Sequence, residues 1–379
     1  MSALEQIRGI DFGRPIRAVR WFGDTVSHRI DMRTVSVCLM LLAIALAVAL
    51  VTLASGEYQV PLPDVLRALL GQAEGRIHMV VVEWRLPRTA LALMLGAALG
   101  MGGAIFQSLT RNPLGSPDII GFDAGAYTGA LVVIIVLQGG YYAIAGGALA
   151  GGLCTALLVY VLAYSRGVQG FRLIIVGIGV SAMLTSLNTW MLLRAKLAVA
   201  MAAAVWGTGS LNGLGLEQLG YAAMALAIWG AGTLNGLGLD RLGPAALILA
   251  ILIPLALLLS RPMAQLELGD DAARALGVDA ERTRLALLVL GVALTATVIA
   301  TAGPIGFVAL SAPQLARRLT GSAGVAMLPA AAMGALLLAA ADYLAQRAFA
   351  PTQIPVGIVT VSLGGVYFVW LLLREARRQ

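Results

Sequence analysis

The side chains able to do chemistry in this chain of 379 residues are few and scattered. Lys196 is the only lysine, so no glycine-rich loop can present one to a phosphate in a G-x-x-x-x-G-K-[ST] arrangement. No G-x-S-x-G elbow and no cluster of His, Asp and Glu points to hydrolysis. His28 and His78 lack a cysteine or histidine at metal-ligand spacing and read as loop or interfacial residues. Cys38 and Cys154 fall inside apolar runs, where no disulfide framework is expected. The expectation is a chain without a metal or cofactor of its own, whose energy for any active process comes from a partner or an ion gradient. Ion coupling acts through ionisable groups inside membrane spans, and the candidates are Asp123 and Asp342. Both fall near the end of an apolar run, where capping or solvation accounts for a carboxylate.

Two polar segments have more specific patterns. Between Arg261 and Arg284 lies Leu268-Gly269-Asp270-Asp271-Ala272-Ala273-Arg274-Ala275-Leu276-Gly277-Val278. Gly269 and Asp270 predict a helix start with acidic residues at the positive end of the dipole, and Gly277 predicts its stop. A two-turn helix presenting Ala272, Ala275 and Leu276 on one face suits a groove in another protein, or serves as a passive connection. The second segment is Glu83-Trp84-Arg85-Leu86-Pro87-Arg88, with Pro87 well placed in a first helical turn. Arg85 and Arg88 read either as snorkelling interfacial anchors or as a docking site for acidic residues.

The elements that position these residues follow from composition. Of all residues, 59% are apolar and 12% charged, with a mean hydropathy of +0.88. So little charge cannot cover a soluble domain of this size, and apolar runs long enough to cross a bilayer recur along the chain. The 45 glycines fit helices that approach closely in a membrane. Spans are expected at 34–54, 88–109, 118–138, 142–164, 172–193, 244–260, 283–302, 305–318, 324–345 and 355–373. The eighth is bracketed by Pro304 and Pro313 and is expected to be a broken or short helix. Residues 1–33 carry six arginines without an apolar core and read as a cytoplasmic leader, either an amphipathic helix on the membrane or a solvated tail. Residues 34–379 form the transmembrane domain. With the N-terminus inside, 18 of the 26 basic residues face the cytoplasm, which predicts an even number of spans with both termini inside. The net charge of +7 therefore reflects orientation signals and not a nucleic-acid stripe.

One segment breaks the rhythm. Residues 200–222 and 223–245 match at 16 of 23 positions without a gap, a tandem duplication. Its apolar stretch is too short to span, so 200–245 is expected to be an excursion at the outer surface.

Several motifs in order carry a resemblance over about residues 50–375. They are Arg85-Leu86-Pro87-Arg88, Gly103-Ala104-Ile105-Phe106-Gln107, Asn112-Pro113-Leu114-Gly115-Ser116-Pro117, Gly209-Ser210-Leu211, Leu268 through Gly277, Ala302-Gly303-Pro304-Ile305-Gly306-Phe307 and Pro355-Val356-Gly357. Together they resemble the FecCD-type iron-siderophore permeases of type II ABC importers. Glu83-Trp84, Asn188-Thr189-Trp190 and Val359 through Gly365 look most like the ferric-enterobactin permease subunits.

The resemblance implies an all-α polytopic permease of about ten transmembrane helices in the bacterial inner membrane. It also implies a second homologous permease as heterodimer partner, two cytoplasmic ATPases that use ATP and Mg, and a periplasmic or lipid-anchored siderophore-binding protein. On it, Leu268, Gly269, Asp270, Asp271, Ala272, Arg274, Ala275, Leu276 and Gly277 match the coupling helix that docks on the ATPase. Arg85 and Arg88 match arginines that receive the binding protein. A third falls where this chain has Gln346, with Arg347 beside it, and an acidic position is Gln353. Arg194 and Lys196 would form a basic outer vestibule for an anionic ferric catecholate. Cobalamin or haem import is the alternative within the fold, and an ion-coupled secondary transporter the alternative outside it.

Overall fold

A computed structural model describes residues 16–21, 26–118, 120–163, 170–196, 244–348 and 354–376. The duplicated segment at 200–245 lies almost wholly outside the described residues, as does Gln353. The leader differs from both expectations for it. Strands β1 (Ile16–Trp21) and β2 (Val26–Asp31) pair antiparallel, with Ile16 opposite Asp31 and Trp21 opposite Val26. His28 therefore lies in a strand, and His78 in a helical turn. Asp31 ends β2 and caps the next helix, its carboxylate accepting the Arg33 N–H at 2.9 Å.

Helix α1 (Met32–Ala54) runs to the opposite end of the molecule, where the short α2 (Leu62–Leu69) follows. A helical turn (Gly75–His78) and a π-helical segment (Met79–Arg85) lead without a break into α3 (Leu86–Thr110). The chain continues through α4 (Phe122–Leu131, extended by a π-helical segment, Val132–Leu137), α5 (Tyr141–Ala163) and α6 (Gly170–Arg194). After the duplicated segment come α7 (Pro244–Leu258), α8 (Ser260–Glu267), α9 (Asp270–Ala275) and α10 (Ala280–Ala302). Last are α11 (Val308–Thr320), α12 (Met327–Arg347) and α13 (Val356–Ala376). Every expected span coincides with one of these helices. Among the described residues, 6 helices are long and apolar enough to cross a membrane alone, and a seventh arises if α7 and α8 count as one bent span.

Helix α3 is the axis of the packing. Gly96 meets the carbonyl of Gly334 in α12, and Gly100 meets that of Ala330, so closely that neither site has room for a Cβ. Gly103 meets the carbonyl of Ala309 in α11 in the same way. That contact explains a departure from the sequence reading. Pro313 lies inside α11 and does not bound it. Proline has no N–H for the carbonyl four residues earlier, which is Ala309. The carbonyl so released lies against the Gly103 backbone. The expected break falls earlier, at Gly303 and Phe307, both with positive φ (78° and 66°). There the Asp118 carboxylate accepts the Phe307 N–H at 3.2 Å. A second interruption follows from Pro262, which cannot bond the Leu258 carbonyl; α7 ends at Leu258 and α8 leaves it at 46°.

These contacts sort the chain ends. The Arg33 guanidinium donates to the Leu319 carbonyl near the end of α11, and Arg318 lies 5.1 Å from the Trp370 ring of α13. Gly324, just beyond α11, abuts the Glu267 carboxylate at the end of α8. The start of α1, the last turns of α13 and the α8–α9 region thus share one end of the bundle.

Candidate functional site

At that end the short helix α9 is presented between two glycines, Gly269 (φ 116°) and Gly277 (φ 83°). Only Ala273 is fully buried in it, while Leu268 and Leu276 expose 69% and 57% of their surface. Asp271, Arg274 and Ala275 are exposed and Ala272 half-buried, so the presented face combines apolar and charged groups. Asp270 faces the bundle. Its Oδ1 accepts from Arg111 Nη2 and Arg284 Nη2, each at 2.8 Å, and the same Arg111 nitrogen donates to the Leu266 carbonyl at 2.8 Å. Partial burial pushes the Asp270 carboxyl upward, but the Arg284 and then the Arg111 guanidinium outweigh it and hold it below the usual carboxylate range. The sequence reading found this helix and missed Arg111 and Arg284 as its anchors.

The opposite end carries arginines. Arg85 donates to the Leu53 carbonyl at 2.7 Å and the Tyr58 carbonyl at 2.6 Å, closing the turn after α1, and it packs where Gly56 leaves space. Arg88 grips Asp342 of α12, Nη2 to Oδ1 at 2.8 Å and Nε to Oδ2 at 3.2 Å. Asp342 is only 1% exposed, so the expected capping or solvated role is corrected: it is a buried counter-charge between α3 and α12. Gln346, one turn further along α12, donates to Asp342 Oδ2 at 2.8 Å. A lone carboxylate and a lone arginine inside adjacent spans were the available signal for this pair. Arg347 is exposed at the end of α12. Beside these groups lies a cavity of about 530 Å³ lined by Tyr58, Arg76, Trp84, Arg85, Arg88 and Gln346. Asp123, the other candidate carboxylate, sits half-buried in the first turn of α4, where the positive end of the helix dipole faces it, with Oδ1 buried and unpartnered among the described residues.

Helix α6 runs alongside α4 in the same direction, Gly121 meeting Ser181 and Thr128 bonding Asn188 at 2.7 Å. Since α4 starts next to Arg111, Arg194 and Lys196 come to the Arg85 end, both exposed. Among the described residues no group of three His, Cys, Asp or Glu could hold a metal ion.

A glycine-packed helical bundle with apolar, membrane-length helices and a short clamped helix at one end has the architecture of a polytopic permease. Its fold is similar to that of a putative metal-chelate type ABC transporter in an inward-facing conformation, with a TM-score of 0.74 and 24% identity over 89% of this chain and 99% of that one. The FecCD transport family model matches residues 39–228 and 221–374, two stretches that meet inside the duplication. The chain belongs to this family. It is 47% identical to the ferric enterobactin transport system permease protein FepG of Escherichia coli (strain K12), over 92% of this chain and 99% of that protein. The Fe(3+) dicitrate transport system permease protein FecD of the same strain is 36% identical, over 90% and 99%. The iron(3+)-hydroxamate import system permease protein FhuG of Bacillus subtilis (strain 168) is 35% identical, over 82% and 88%.

Proposed function

We propose that this chain is the transmembrane permease subunit of an ATP-driven importer that carries ferric siderophores of the catecholate, enterobactin-like class across the bacterial inner membrane. The observation that carries the reading is the near full-length 47% identity to a ferric enterobactin permease. On this reading the chain crosses the membrane ten times with both termini cytoplasmic, and α9 is the coupling helix. Its exposed Leu268 and Leu276 suit a groove of an ATPase, two copies of which supply the hydrolysis of ATP with Mg. A second permease, a homologous partner in a heterodimer, completes the pathway. Arg85, Arg88 and Arg347 form the docking face for a binding protein. Arg347 and the half-buried Arg85 carry most of its available charge, because Arg88 is held by Asp342. Arg194 and Lys196 flank the outer mouth, where positive charge favours an anionic complex.

A role in ion coupling is disfavoured for Asp342, since it is engaged by a guanidinium. The test is uptake of radiolabelled iron, supplied as a panel of siderophores, in cells lacking only this chain. Loss of catecholate-dependent uptake is expected; unchanged uptake of every siderophore overturns the reading. Co-purification with an ATPase separates it from a secondary transporter.

A further inference from the structure

The short helix α9 hangs between two glycines around which the structure is open: a Cβ at Gly269 or Gly277 would meet nothing within 4 Å. Ala273 is seated in the core, and the charged tie of the helix to the bundle is Asp270. Asp270 is held from two directions, by Arg284 from the second turn of α10 and by Arg111 from the end of α3. Arg284 reaches only 14 residues along the chain, whereas Arg111 reaches 159. Arg111 also holds the Leu266 carbonyl in α8, so one guanidinium grips the chain on both sides of Gly269.

The backbone at Arg111 strengthens the case for a side-chain role. It caps α3 in the left-handed region, φ 47° and ψ 35°. Glycine or asparagine adopts that conformation with least strain, and arginine gains nothing from it. Helix α3 continues from the turn at Gly75 to Thr110 as 36 residues, roughly 50 Å at the helical rise. Its far part carries Arg85 and Arg88, and its middle is locked to α12 and α11 by backbone contacts at Gly96, Gly100 and Gly103.

We propose that Arg111 is a positioning residue for coupling: it joins the ATPase-facing helix α9 to α3, and α3 is the rigid link between that helix and the arginine face at the opposite end. This rests on the reading of α9 as the coupling helix. Binding at either end then changes the affinity or turnover at the other through a joint made at one guanidinium, and reciprocity of binding free energies applies to the two ends.

Arg111→Gly is the informative variant, because glycine accepts the left-handed backbone, so the side chain and its guanidinium are removed without straining the cap. The assembled complex, in lipid nanodiscs and in proteoliposomes, is assayed for basal ATPase, for stimulation by ferric-siderophore-loaded binding protein, and for iron imported per ATP. The expected result is wild-type assembly and thermal stability, basal ATPase within about twofold, and a fall of about tenfold in iron per ATP, within the range of known couplings. Arg111→Lys keeps the charge without the fork and is expected to recover part of the loss. A wild-type transport ratio in Arg111→Gly overturns the proposal, and so does loss of assembly alongside coupling, which is what a guanidinium needed only to hold the fold together would give. Leu276→Asp tests the underlying reading separately: if it leaves ATPase association and coupling intact, α9 is not the coupling helix, whatever Arg111 does.

Discussion

A carboxylate with 1% of its side chain exposed is costly between helices unless a counter-charge and hydrogen bonds surround it, and Arg88 and Gln346 supply both for Asp342. Removing one partner of a buried pair leaves an uncompensated charge, at a cost of about 3–5 kcal/mol, whereas replacing both with apolar groups is far milder. Arg88→Met alone should therefore lower the thermal stability of the detergent-solubilised protein strongly, and Arg88→Met with Asp342→Leu should recover most of it. Additive losses in the double variant would show that the two side chains do not act as a pair.

Asp270 gives a pH-dependent counterpart at the other end. Its folded carboxyl titrates below the ordinary aspartate value of about 3.9. The sign follows: the fastening of α9 contributes fully above that ordinary value and is lost as pH falls through the depressed one. A nitroxide on Leu276→Cys, with Cys38 and Cys154 replaced, should gain mobility only below about pH 4. In Asp270→Asn it should be mobile throughout. A transition near neutral pH in the parent would assign the fastening to another group.

At the scale of elements, glycine separates packing from lipid exposure. Gly100 in α3 faces the Ala330 carbonyl with no space for a Cβ, while Gly179 in α6 is exposed and would meet nothing. Gly100→Ala must push α3 and α12 apart, at about 1–3 kcal/mol. Gly179→Ala only reduces backbone freedom and should stabilise by about 0.5–1 kcal/mol. Opposite shifts in melting temperature are the measurement, and equal shifts would contradict the packing described for α3.

The same contacts show what could be read in advance. Apolar runs bounded by polar residues located the helices, because a bilayer imposes length and composition on each one separately. Gly269 and Gly277 made α9 legible for a similar local reason. Pro313 was misjudged because its tolerance depends on Gly103, in another helix. Arg88 and Asp342 are 254 residues apart, and Arg111 and Asp270 159, so no spacing pattern joins them. The hairpin at Ile16–Asp31 escaped notice since arginines interrupt its apolar positions on both strands.

For the whole molecule, the question is how a 23-residue tandem duplication is accommodated in this fold. The first family-matching stretch ends at residue 228 and the second begins at 221, so the two overlap inside the duplication. The start of α1 and the last turns of α13 lie at one end, which requires an even number of crossings between them. If each copy crossed the membrane, deleting one would reverse every later helix and send α9 and the C-terminus to the other side. Deletion of 223–245 is therefore expected to keep a C-terminal fluorescent or phosphatase fusion in the compartment it occupies in the full chain, and to preserve iron uptake. A fusion that changes compartment on deletion would mean that the second copy is a transmembrane span, one crossing beyond the ten proposed for this chain.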